Sequence, residues 1–229
     1  MLFGINVVYL LILVAVSFGL IFGLRALQKS ALAELSETLY AKNDPERYAR
    51  MLDSRFLLLV LRRSTVALLR LDGALFAGSA DAVWEACGIL DRVKLKPEER
   101  LNWYQKVFSF SVTQMDKQRA EEYLALIERF LERETDDALS AVRNDARQLY
   151  GVYIEKDTAL IAVLEEAAAL YSGARLGLIL YRLAKLYHFT GDNAKAAARL
   201  EKAIPNLKGS PWLDVAERAL GDPSVLEVE

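Results

Sequence analysis

Leu183-Ala184-Lys185-Leu186-Tyr187-His188-Phe189-Thr190-Gly191-Asp192, followed by Ala196, Leu200 and Ala203, is the stretch from which the fold can be read. Leu183 and Tyr187 stand four apart and share one face of a helix. Gly191 allows the backbone to turn, and Asp192 is suited to cap the helix that follows. Ala196 and Ala203 are small where two helices would cross, so their backbones can approach. The same spacing recurs upstream: Leu149 and Leu183, Tyr153 and Tyr187, Ala162 and Ala196, and Ala169 and Ala203 are each 34 residues apart. A fixed period of this length predicts stacked helix pairs that bury their faces against one another. The earlier copy is looser, with Asp157 where the later has Gly191 and Glu166 where it has Leu200.

This pattern of Leu-Ala, Tyr, Gly-Asp, Ala, Leu and Ala resembles the tetratricopeptide repeat, a helix–turn–helix unit of 34 residues. The resemblance is good over 174–205, fair over 140–172 and weak further upstream. With the apolar N-terminus added, the layout looks like that of single-span, membrane-anchored bacterial proteins of the tetratricopeptide family. The resemblance implies an α-solenoid whose first helices line a groove for an extended peptide or a partner helix. Carried over by position, the groove-facing residues are Asn144 and Arg147 in one unit and Tyr181, Lys185 and His188 in the next. Such a mixture could hold a carboxylate by charge-assisted hydrogen bonds. It departs from the full carboxylate-clamp set of chaperone-binding members.

Outward from the repeat, apolar-periodic runs alternate with short punctuation. Helices are predicted over about 54–76, 81–93, 97–115, 117–134, 137–155, 158–172, 174–190 and 193–204, with a capping helix at about 210–220. Asp44, Asp116, Asp136, Asp157 and Asp192 precede helices as N-caps, and Pro45, Pro97 and Pro211 suit first turns. Short connections make neighbouring helices antiparallel. No segment alternates with period two for long enough to be a strand. The run Phe56-Leu57-Leu58-Leu59-Val60-Leu61 is too short for a membrane span, is interrupted by Arg62 and Arg63, and reads as a helix buried on most sides. Three segments are therefore predicted: an anchor at 1–25, a juxtamembrane helical stalk at 26–53, and an all-α repeat domain at 54–229.

The anchor prediction rests on Leu2 to Leu24, which carry no charged side chain. As a helix this run spans roughly 34 Å, against a hydrocarbon core of about 30 Å. A cleaved signal peptide fits less well, since no Lys or Arg precedes Arg25 and the apolar run is too long. Arg25 and Lys29 follow the span and no basic side chain precedes it, which predicts a cytoplasmic domain on a single-pass anchor. Ala15, Gly19 and Gly23 recur every four residues, a small-residue stripe against which another membrane helix could pack.

The 229-residue chain has a formal net charge of −2, which argues against a nucleic-acid binder. Its single cysteine, Cys87, excludes an intramolecular disulfide and reads as a small buried residue. His188 is the only histidine, so no His/Cys zinc set can be assembled. No phosphate-binding glycine loop and no nucleophile–base pair are discernible, and no cofactor, metal or catalysis is predicted. The reading is a membrane-tethered adaptor or scaffold for a protein or peptide partner. The alternatives are a constitutive subunit of a membrane complex and a periplasm-facing chaperone-like factor.

Overall fold

The computed structural model describes the backbone of residues 7–132 and 136–228, and their side chains except at 7–13, 15, 137, 138 and 228. The described residues form helices and turns without a strand, so the chain is all-α, as the periodicity predicts. It divides into two compact units, Met1–Arg100 and Leu101–Glu229.

The first unit contains α1 (Val7–Ser36), α2 (Pro45–Leu52), α3 (Arg55–Val60), α4 (Arg63–Phe76) and α5 (Ala80–Leu90). The lower half of α1 does not end as a separate stalk. It continues through a π-helical turn, Glu37–Ala41, and Ala31, Leu35 and Leu39 pack with Tyr48, Leu52, Leu57, Val60, Leu61 and Val66 in one core. The stretch 26–53 is thus part of this unit's interior. Asp44 caps α2, its carboxylate accepting from the Arg47 amide at 2.8 Å, with Pro45 in the first turn.

The helix predicted over 54–76 is broken. Leu61 and Arg62 are extended, which separates α3 from α4 and lets Leu57, Val60, Leu61 and Val66 all reach the core. Phe56, Leu58 and Leu59 point outward instead, so the expected burial on most sides is corrected: α3 buries only the stripe carrying Leu57 and Val60.

Along the upper half of α1, Val14, Val16, Phe18, Leu20, Ile21, Phe22 and Leu24 are all exposed. Among the described residues, no helix is long and apolar enough to cross a membrane. The described apolar side chains before Arg25 begin at Val14 and cover roughly 16 Å of helix. Residues 2–6 of the predicted span, and the side chains of 7–13 and of Ala15, lie outside the described ones.

α6 (Pro97–Thr113) leads into the second unit, followed by α7 (Lys117–Phe130), α8 (Asp137–Tyr150), α9 (Leu160–Leu170), α10 (Gly173–Phe189), α11 (Asn193–Ala203), α12 (Trp212–Gly221) and α13 (Val225–Val228). Lys96 and Glu99 close the start of α6, with the Lys96 amide donating to the Glu99 carboxylate at 2.8 Å. Asp116 caps α7 through the Arg119 amide at 3.0 Å. α10 and α11 pair closely along their length, with Leu183, Ala184, Ala196, Leu200 and Ala203 buried between or around them. Their turn carries Gly191 at φ +80°, and the Asp192 amide reaches back to the Tyr187 carbonyl at 2.9 Å. The short α13, which periodicity did not suggest, folds back onto α10 with Leu226 fully buried.

The earlier helix pair follows the later one only as far as its turn. Ala146 and Tyr150 on α8 are buried, as are Leu180 and Ala184, their counterparts 34 residues on. The π-helical turn Gly151–Glu155 then inserts a residue. The left-handed position falls on Lys156 at φ +54°, which is 35 residues before Gly191. Asp157 therefore corresponds to Asp192, and Glu165, rather than Glu166, to Leu200. This shift explains why Ala162 and Ala169 are exposed although Ala196 and Ala203 are buried. In α9 the chain instead buries Leu164.

Candidate groove between the first helices of the repeat

α8 and α10 are the first helices of the two pairs, and together with the end of α9 they line a cleft of about 450 Å³. From α8 come Ala141, Asn144, Asp145 and Gln148; from α10 come Arg175, Leu178, Ile179 and Arg182. Each α8 residue has its α10 counterpart 34 positions later: Ala141 and Arg175, Asn144 and Leu178, Asp145 and Ile179, Gln148 and Arg182. The cleft is thus made of equivalent positions in two consecutive units. Both sets follow i, i+3, i+4, i+7 spacing, which confines each to one helix face.

The chemistry within the cleft is polar at its walls and apolar at its floor. Arg182 donates to Asp145 at 2.7 Å, an ion pair whose guanidinium side is largely shielded. This pair ties α10 to α8 and fixes the cleft's width. Arg175 lies with its guanidinium 3.9 Å from the Tyr171 ring centre, a cation–π contact that orients the side chain while leaving it exposed. The Asn144 and Gln148 amides add donors and acceptors on the opposite wall, and Ile179 is buried beneath them. An exposed guanidinium facing two amides can bind a carboxylate or a peptide backbone.

Of the five residues carried over from the resemblance, only Asn144 lies on this cleft. Arg147 turns toward α7 and pairs with Glu128. Tyr181 is fully buried, its ring 5.6 Å from that of Trp212. Lys185 is 2% exposed; its ammonium donates to the Leu226 carbonyl at 2.6 Å and stands 4.6 Å from the centre of the Tyr153 ring. Burial pushes the Tyr153 phenol up to about 12, so the ring facing this ammonium is neutral. His188 is mostly covered, with Nδ1 2.8 Å from the Asn193 amide oxygen and Nε2 3.4 Å from Glu227. Tyr181, Lys185 and His188 are therefore not open groove residues. α12 and α13 cover this end of α10, a long-range event that the repeat pattern does not encode.

The residues that sequence reasoning missed are Asp145, Gln148, Arg175 and Arg182. Their signal was present in the 34-residue spacing from Ala141–Gln148 to Arg175–Arg182, one helical turn upstream of the positions chosen on α10. Gly19 and Gly23, the other candidates, lie on the exposed part of α1, and a Cβ added at either would meet nothing within 4 Å. Ala15 lies outside the described side chains. Cys87 is buried as a free thiol in α5. Among the described residues no group of His, Cys, Asp and Glu side chains is arranged to hold a metal ion.

The first unit has a cleft of similar volume, about 440 Å³, between α2, α4 and α5. Its one guanidinium, Arg70, is engaged by Asp53 at 2.6 Å, and its other charged lining residues, Glu46 and Glu85, are acidic. No family model, curated protein or solved structure matches the chain.

Proposed function

We propose that the chain is a membrane-tethered, tetratricopeptide-like adaptor without catalytic activity, which holds a protein partner's extended peptide in the α8–α10 cleft. The observation that carries this reading is the cleft's construction from equivalent positions of two units, with Arg175 exposed and Asn144 and Gln148 facing it. The tether is residues 2–24. It is supported by their lack of charge and by seven large apolar side chains, from Val14 to Leu24, that cover nothing within the chain. Arg25 and Lys29 at the end of the run favour a cytoplasmic position for the helical domain.

A photo-crosslinking side chain at Gln148, introduced into the full chain in its native membranes, tests the adaptor reading. A crosslinked product is expected at Gln148, reduced at least tenfold by Arg175→Glu. A reporter at the exposed Lys202 of α11 should give no such product. Equal products at both positions, or indifference to Arg175→Glu, would remove the cleft from consideration.

The open space over Gly19 and Gly23 favours a second reading, in which α1 also packs against another membrane helix. Replacing both with Ile should then dissociate the assembly in mild detergent, whereas an intact assembly would leave α1 as a tether alone.

A further inference from the structure

α3 presents the least economical surface of the first unit. Phe56 and Leu58 are about half exposed and Leu59 is 85% exposed, three large apolar side chains on a helix of six residues. Three exposed arginines surround them. Arg55 is the first residue of α3, Arg62 precedes α4, and Arg63 is its first residue. A helix N-terminus disfavours cations, so these charges stand where the peptide dipoles repel them. Among the described residues no carboxylate pairs with any of the three. An apolar patch rimmed by uncompensated cations calls for a surface that is apolar within and anionic at its edge.

The position of α3 identifies that surface. The Gln28 side-chain amide donates to the Val60 carbonyl at 2.8 Å, which fixes the end of α3 against α1. Gln28 lies four residues beyond Leu24, or about 6 Å along the helix axis. The headgroup region on each side of a bilayer is roughly 5–8 Å deep. If the hydrocarbon edge falls at Leu24, α3 lies within the headgroup layer. Arg25 and Lys29, both exposed, are at the same level.

We propose that α3 is a second membrane contact, which inserts Phe56, Leu58 and Leu59 beside the anchor while Arg55, Arg62 and Arg63 bind anionic lipid headgroups. This rests on the anchor reading given above. It makes the attachment two-point: α1 crosses the bilayer and α3 stops the first unit from swivelling about it. The same contact adds three cations to Arg25 and Lys29 on one side of the membrane, which strengthens the charge asymmetry that orients the chain.

The test uses the full chain carrying Cys87→Ala, with a nitroxide attached at Leu59→Cys or, as a control, at Glu46→Cys on α2. Each protein is reconstituted into vesicles of phosphatidylcholine with or without phosphatidylglycerol. Flotation with the vesicles reports the anchor. The ratio of collisions with oxygen to collisions with a soluble nickel complex reports depth. The Leu59 label should show a ratio several-fold above that at Glu46, and Arg62→Glu with Arg63→Glu, or omission of phosphatidylglycerol, should lower it. Flotation with equal ratios at the two sites would overturn the α3 contact and leave the anchor standing. A chain that fails to float would overturn both. A label at Leu59 shielded from both reagents would mean that protein, not lipid, covers α3. A high ratio indifferent to phosphatidylglycerol and to the arginine substitutions would overturn the anionic headgroup assignment.

Discussion

Lys185 shows how far a single residue's role depends on distant chain. Its ammonium is buried, donates to a carbonyl 41 residues away and faces the neutral Tyr153 ring. Lys185→Met keeps the apolar stem but leaves the buried Leu226 carbonyl without its donor. The expected cost is about 1–3 kcal/mol, read as a lower urea midpoint, with faster amide exchange in α13. Asp192 carries a pH dependence. The Lys195 side chain and amide, at 2.8 and 3.1 Å, hold its carboxyl below the ordinary value. Its contribution is complete above about pH 4, the unfolded range, and is lost as pH falls through the lower folded-state value. Asp192→Asn, which can still cap, should flatten the loss of stability between about pH 4 and pH 2. Met115 adopts φ +54° at the end of α6 and is exposed, so its side chain gives little in return for that conformation. Met115→Gly should stabilise the chain by about 1 kcal/mol in chemical denaturation. The Asp192 cap and Gly191 turn were legible in sequence because both act locally. The burial of Lys185, Tyr181 and His188 was not, because it depends on α12 and α13 returning to α10.

Among the elements, the helix order was legible almost throughout, since Asp and Pro caps and apolar periodicity mark each start. Two departures have physical causes. The π-helical turn after α8 inserts one residue, so a period of 34 holds upstream of the turn and 35 across it. Alanine spacing alone could not reveal that shift. The break between α3 and α4 lies inside a continuous apolar run, where periodicity is silent about which side chains face out. Close packing of one element can be tested directly. A Cβ built on Gly177 of α10 would come within 2.8 Å of the Leu207 side chain and 3.2 Å of the Asn206 backbone. Gly177→Val should therefore cost about 1–3 kcal/mol through overpacking, measured by thermal or urea unfolding. If stability is unchanged, the contact between α10 and the 204–207 turn is looser than described. The cleft was half legible. Its 34-residue logic is written in the sequence, but the correct register on α10 emerged only with the geometry of Arg175 and Arg182.

At the scale of the whole molecule, the two units divide their tasks. The first contains the exposed apolar helix α1 and the outward face of α3. The second contains the cleft between α8 and α10. This division explains why no constellation of catalytic residues needs to be sought at the cleft: its polar groups are arranged to bind, and the apolar surface lies elsewhere. It also separates the consequences of mutation. Arg175→Glu should abolish partner crosslinking without releasing the chain from membranes, and substitutions on α1 should do the reverse. The central claim is that residues 2–24 span a bilayer. Alkaline carbonate extraction of membranes from cells expressing the full chain tests it most directly, with Leu20→Asp and Phe22→Asp introduced together as the comparison. The account predicts that the unaltered chain stays in the membrane pellet and the doubly substituted chain is released. Release of the unaltered chain would contradict it.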